Sequence, residues 1–114
     1  MPLDRKKAKI IRGFHDPRTT IGLRTARYKL IRWASGAVEL YDLNRDPNEL
    51  HNMATDPHYT DLRRQLTQLW WRYKDCVATA CTRPLPASLR TTPAIVARQT
   101  MRQTAQVRAW WNGA

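Results

Sequence analysis

Residues 21–33 are dense in β-branched, aromatic and long side chains, and Tyr28, Leu30 and Arg32 fall on the face opposite Ile31 and Trp33. A period of two marks a strand, because successive side chains point to opposite sides of a sheet. Ala34-Ser35-Gly36-Ala37 follows, with a glycine where a tight turn needs positive φ, and residues 38–43 then alternate again. The pattern predicts a β-hairpin over 21–43. Further on, Tyr59, Leu62, Leu66, Leu69 and Tyr73 recur at helical spacing, after Asp56 as N-cap and Pro57 as first helical residue. The predicted helix carries one apolar face, with Trp70 flanking it as a core residue.

The expected fold class is therefore α+β: a small antiparallel sheet covered by an amphipathic helix. Two strands alone are marginal, so the helix needs either more strands, drawn from residues 1–20, or a surface on another body. Residues 1–20 lack periodicity and end in the turn-like His15-Asp16-Pro17; they read as an irregular opening segment. A second helix is expected over 93–111, with Thr92 as N-cap and a weak apolar stripe of Ala94, Ala97, Met101 and Ala105. The chain thus divides into 1–20, a folded unit over 21–86, and a basic, helical tail over 87–114.

Charge adds an asymmetry. Twenty Lys and Arg stand against nine Asp and Glu, for a formal charge of +11. Residues 1–33 and 82–114 are strongly basic, whereas 34–62 are acidic through Glu39, Asp42, Asp46, Glu49, Asp56 and Asp61. Basic ends suit an Arg-rich binding module for nucleic acid or sulfated glycans, and equally a solvated surface or a face turned to an acidic partner. No RNP, helix-turn-helix or zinc-finger signature accompanies the charge, so nucleic acid is the weaker of these partners. No apolar run approaches the roughly 20 residues of a membrane span, and no signal-peptide core follows the basic N-terminus. Compartment stays open on these grounds.

Candidate chemistry is sparse. His15, His51 and His58 lie in separate contexts, no H-x-x-x-H or C-x-x-C occurs, and the four glycines are isolated. Cys76 and Cys81 are spaced to close a short disulfide loop if the helix stops after Cys76; in a reducing compartment they would remain two thiols. Asp42, Asp46 and Glu49 surround a Pro-containing turn, where carboxylates more often cap backbone than perform acid–base work. Trp110-Trp111, in a basic tail, suggests docking onto something.

Several stretches, in order, resemble the C-terminal region of the sulfatase family: Arg24-Thr25-Ala26-Arg27-Tyr28-Lys29-Leu30-Ile31, Glu39-Leu40-Tyr41-Asp42-Leu43, Asp46-Pro47-Asn48-Glu49 and Asn52-Met53-Ala54. That resemblance covers residues 21–86. It implies an alkaline-phosphatase-like α/β hydrolase whose small C-terminal subdomain is a sheet of about four strands covered by a helix. The family's relatives are often exported. They use calcium and a formylglycine made from the Cys or Ser of C/S-x-P/A-x-R. Cys76-Val77-Ala78-Thr79-Ala80 and Cys81-Thr82-Arg83-Pro84-Leu85 both lack the required Arg. No catalytic, cofactor or metal residue carries over. Arg24, Tyr28, Asp42, Asp46 and Asn52 match the pattern and are expected as scaffold. The expected partner is a catalytic sulfatase domain absent from this chain, with this chain a non-catalytic subdomain or fragment that also shapes the rim of the substrate pocket.

Overall fold

The stretch expected as one strand over 21–33 folds back on itself. In the computed structural model, which describes residues 4–13 and 20–111, it forms two strands, β2 (Thr20–Arg24) and β3 (Tyr28–Trp33). Thr25 makes the turn between them: its hydroxyl accepts from the N–H groups of Tyr28 at 2.8 Å and Arg27 at 3.2 Å, while its own N–H donates to the Tyr28 carbonyl at 2.8 Å. A threonine side chain here replaces the glycine or proline that usually announces a turn. The next turn is the expected one, with Gly36 at φ 96°, and leads into β4 (Val38–Asp42).

Residues 1–20 were expected to be irregular, yet they supply β1 (Lys7–Arg12). A short β5 (Thr82–Pro84) pairs with its outer edge. The sheet is antiparallel throughout, in the order β4-β3-β2-β1-β5. Alternation in β1 is hidden in the sequence because Lys7 and Lys9 separate Ala8 from Ile10 only weakly, and Ile10-Ile11 then places apolar groups on both faces. The turn-like His15-Asp16-Pro17 lies outside the described residues.

Strand register organises the inner face into three cross-strand rows. Ile10, Leu23, Leu30 and Leu40 lie side by side in the centre. On one side of them run Arg12, Ile21, Arg32 and Val38, and on the other Tyr28 faces Asp42. The helix α1 (Thr60–Tyr73) lies over the central row and buries Leu66, Leu69 and Trp70 against it. Its start follows the chemistry of Asp56-Pro57: the Asp56 carboxylate accepts from the His58 N–H at 2.9 Å, capping a single 3-10 turn, Pro57–Tyr59, that runs into α1. At the far end, Trp70 donates its indole N–H to the Ile21 carbonyl at 3.0 Å, and the Arg12 guanidinium donates to the carbonyls of Lys74 and Cys76 at 2.8 and 3.0 Å. A cation is well placed at a helix C-terminus, where carbonyls lack partners.

The helix α2 (Pro93–Trp111) begins where expected, with the Thr92 hydroxyl accepting from the Ile95 N–H at 3.2 Å. Its predicted stripe is corrected: Ala94, Ala97, Met101 and Ala105 are exposed. The half-buried positions are Ile95, Val96 and Gln99, and the exposed Arg102 donates its guanidinium to the Asn44 carbonyl. Alanines contribute little area, so the larger Ile95 and Val96, with the Arg102 tether, contribute more to seating the helix. The side chains of Trp110 and Trp111 lie outside the described residues.

Two outcomes follow. Leu66→Ala should lower unfolding free energy by about 2–5 kcal/mol in urea titration, whereas Leu50→Ala, at a position 70% exposed, should change it by under about 0.5 kcal/mol. Bonds from the His58 backbone and side chain hold the Asp56 carboxyl below the usual carboxylate range. A carboxyl lowered by folding stabilises above its unfolded value, about 3.9, and loses that contribution as pH falls through the lowered one. The stability advantage of the parent over Asp56→Ala should therefore shrink on acidification below about pH 4.

Candidate functional site

The densest polar cluster sits at the Tyr28–Asp42 end of the inner face. Asp42 is 3% exposed at the end of β4. The guanidinium of Arg27, in the Thr25 turn, grips it as a fork, with Nε 3.2 Å from Oδ1 and Nη2 3.2 Å from Oδ2. The Asn44 N–H donates to Oδ1 at 3.2 Å, and the Tyr59 hydroxyl donates to Oδ2 at 3.3 Å. One carboxylate thereby ties together the β2–β3 turn, the end of β4 and the start of α1. Burial lowers the Arg27 pKa, but the hydrogen bond to Asp42 and the nearby charges outweigh it and leave the net shift upward. The same guanidinium lies 5.0 Å from the Tyr28 ring centroid, and burial pushes the Tyr28 hydroxyl's pKa up.

The other sequence candidates hold backbone. Asp46 accepts from the N–H groups of Leu50 at 2.9 Å and His51 at 2.8 Å, closing the turn after β4. Asn52 accepts from the Leu40 and Ala54 N–H groups, both at 3.0 Å, and donates to the Val38 carbonyl at 3.1 Å. With the Met53 N–H on the Leu40 carbonyl at 2.7 Å, this loop satisfies the open edge of β4. Cys76 and Cys81 are joined as a disulfide with Cα atoms 4.9 Å apart, so neither offers a thiol. Arg24 alone lies on the opposite face of the sheet, away from the cluster.

On that opposite face, the carboxylate of Glu39 accepts from the Trp33 indole and the Tyr41 hydroxyl, each at 2.6 Å. Burial first, then this bond, drives the Tyr41 pKa well above the usual phenol value. Lys29, 8% exposed, donates to Glu49 at 2.7 Å. Arg12, Arg27, Lys29 and Tyr59 were not singled out as a connected set by sequence. Arg27 and Lys29 sit inside the matched motif, which was the signal available; the partners of Arg12 and Tyr59 are 62 and 17 residues away, beyond any local pattern.

The carboxylates of the cluster are already engaged. Both oxygens of Asp42 and both of Asp46 already accept hydrogen bonds, and among the described residues no three His, Cys, Asp or Glu converge as a metal site. His58 is exposed beside Asp56, with 3.0 Å between Nδ1 and Oδ1. The described residues offer no cluster for the calcium that the family resemblance implies, and neither Cys76 nor Cys81 opens the formylglycine pattern. Among the described residues no helix is long and apolar enough to cross a membrane.

If Asp42 is structural, Asp42→Asn should cost about 3 kcal/mol in chemical denaturation, the low end for a broken buried pair because Arg27 is a quarter exposed. Reducing the Cys76–Cys81 bridge, which closes a short loop, should remove about 2 kcal/mol without dispersing the sheet, as read by denaturation with and without reductant.

Comparison with known proteins now bears on these positions. Residues 11–75 match the family described as N-sulphoglucosamine sulphohydrolase, C-terminal. Human N-sulphoglucosamine sulphohydrolase is 42% identical over 64 residues, which are 51% of this chain and 13% of that protein. An uncharacterized protein of Haemophilus influenzae is 37% identical over 41 residues, 36% of this chain and 21% of its own length. The chain thus spans a small part of the curated relatives it matches. Among solved structures, a protein in complex with its substrate D-glucosamine-2-N,6-O-disulfate overlaps 61% of this chain and 16% of its own, at 28% identity and TM-score 0.49. A 2-O GAG sulfatase overlaps 66% of this chain and 17% of its own, at 26% identity and TM-score 0.43. With more than half of its residues inside the matched segment, the chain belongs to the N-sulphoglucosamine sulphohydrolase C-terminal family, and its α+β unit is a sulfatase C-terminal subdomain.

Proposed function

We propose that this chain serves as the non-catalytic subdomain of a hydrolase that removes sulfate from a sulfated glucosamine, bracing a separate catalytic domain and contributing to the rim of its substrate pocket. The observation that carries this reading is the 42% identity to human N-sulphoglucosamine sulphohydrolase over a segment whose conspicuous polar side chains hold its own backbone and one another. Formylglycine and calcium belong to the catalytic domain that the family resemblance implies, and no step of the reaction is assigned to a residue of this chain.

The role left to the chain is mechanical. Reacting groups lose rate steeply when displaced by even about 1 Å, so a rigid neighbour that fixes the pocket wall contributes without touching the reacting atoms. A buried fork such as Arg27–Asp42 gives that rigidity, because its loss strands a partly buried charge.

The 114-residue chain should release no sulfate from N-sulphoglucosamine or an aryl sulfate, with or without added calcium; turnover by the chain alone would overturn the assignment. In a chimera, residues 11–75 replacing the matching segment of the human relative should preserve sulfate release. A folded chimera without activity would speak against a shared bracing role.

A further inference from the structure

On the sheet face turned away from α1, register sets Lys9, Arg24 and Lys29 directly opposite one another on β1, β2 and β3, with Tyr41 next on β4. Neighbouring strands are about 4.8 Å apart, and like charges directly opposite repel. Glu49 answers Lys29 at 2.7 Å. It reaches this position in the left-handed region, at φ 58°, where a residue with a side chain is strained. The charges of Lys9 and Arg24 stay uncompensated by any acidic partner among the described residues.

Beside Arg24 opens a cavity of about 260 Å³, lined by Arg24, Leu43, Pro47, Asn48, Glu49 and Gln99. Two of its lining residues carry a buried polar atom without a hydrogen-bond partner, Arg24 Nε and Gln99 Oε1. An unpaired buried polar atom is costly, so two on residues lining one cavity call for a guest. A half-turn of the Gln99 amide exchanges Oε1 for Nε2, and Gln99 then offers a donor alongside the guanidinium of Arg24 and the amide of Asn48. Water would satisfy the hydrogen bonds but would leave the cationic row unanswered. An acceptor-only anion satisfies both.

We propose that this cavity binds the oxyanion group of a small molecule: a sulfate, phosphate or carboxylate. Arg24 is its principal contact, and Lys9, at the exposed edge of the row, supplies longer-range attraction. Glu49 on the rim does not repel the guest strongly, because Lys29 holds its carboxylate. The volume leaves room beyond the anion for part of whatever carries it. This inference goes beyond the bracing role and does not rest on it, since it arises from the face opposite the Asp42 cluster.

The intact 114-residue chain, labelled with nitrogen-15, is titrated with sodium sulfate, sodium phosphate and sodium acetate, each against sodium chloride at matched ionic strength. The Arg24 Nε–H resonance should shift saturably with at least one oxyanion and not with chloride. The three arms tell sulfate, phosphate and carboxylate sources apart. Affinity should fall about tenfold or more in Arg24→Gln and about threefold in Lys9→Gln. It should be unchanged in Arg64→Gln, whose guanidinium is 67% exposed on α1 and pairs with Asp61. Should Arg24→Gln fail to fold, the exposed Lys9→Gln carries the test. Equal response to chloride, or wild-type titration by both Arg24→Gln and Lys9→Gln, overturns the site.

Discussion

Burial of the central leucine row beneath α1 is the interaction on which the rest of this structure depends. Leu23, Leu30 and Leu40 come from three adjacent strands, and Leu66 from the helix closes over them; all four are at most 1% exposed. Fully burying such side chains contributes about 1.5–3 kcal/mol each, against about 1–2 kcal/mol for fixing each residue's backbone. So thin a margin explains why the polar ends of the row matter. At one end Arg12 ties the carbonyls of Lys74 and Cys76, just past α1, to β1, and at the other Asp42 ties Tyr59, which leads into α1, to β4. The helix is thus pinned at both ends over an apolar middle.

Much of this was legible in the chain itself. The leucines of α1 announce their face by spacing, Asp56-Pro57 announces its start, and Gly36 announces a turn, because each acts through neighbours within a few residues. What the sequence concealed is physically of two kinds. Thr25 turns the chain with its hydroxyl, and threonine is also a common strand residue, so the β2–β3 break looked like unbroken strand. Strand β1 contributes only Ala8 and Ile10 to the core, with Ile11 on the other face among Lys7, Lys9 and Arg12, so no alternation of large apolar groups marks it.

The candidate residues divide along the same line. Asp46 and Asn52 work on backbone a few residues away, and turn chemistry predicts that. Asp42 was recognised, but its grip on Arg27 and Tyr59 depends on the fold bringing turn, strand and helix together. The row of Lys9, Arg24 and Lys29 is invisible without register, since the three residues are scattered over three strands.

Amide hydrogen exchange on the intact chain tests the central claim most directly, because it ranks every element by its local opening free energy. If the leucine row under α1 holds the fold together, the slowest amides lie in β2, β3 and the Leu66 to Trp70 turns of α1, while α2 exchanges far faster. Protection in α2 equal to that of β2 and β3, or rapid exchange through the middle of α1, would contradict the account.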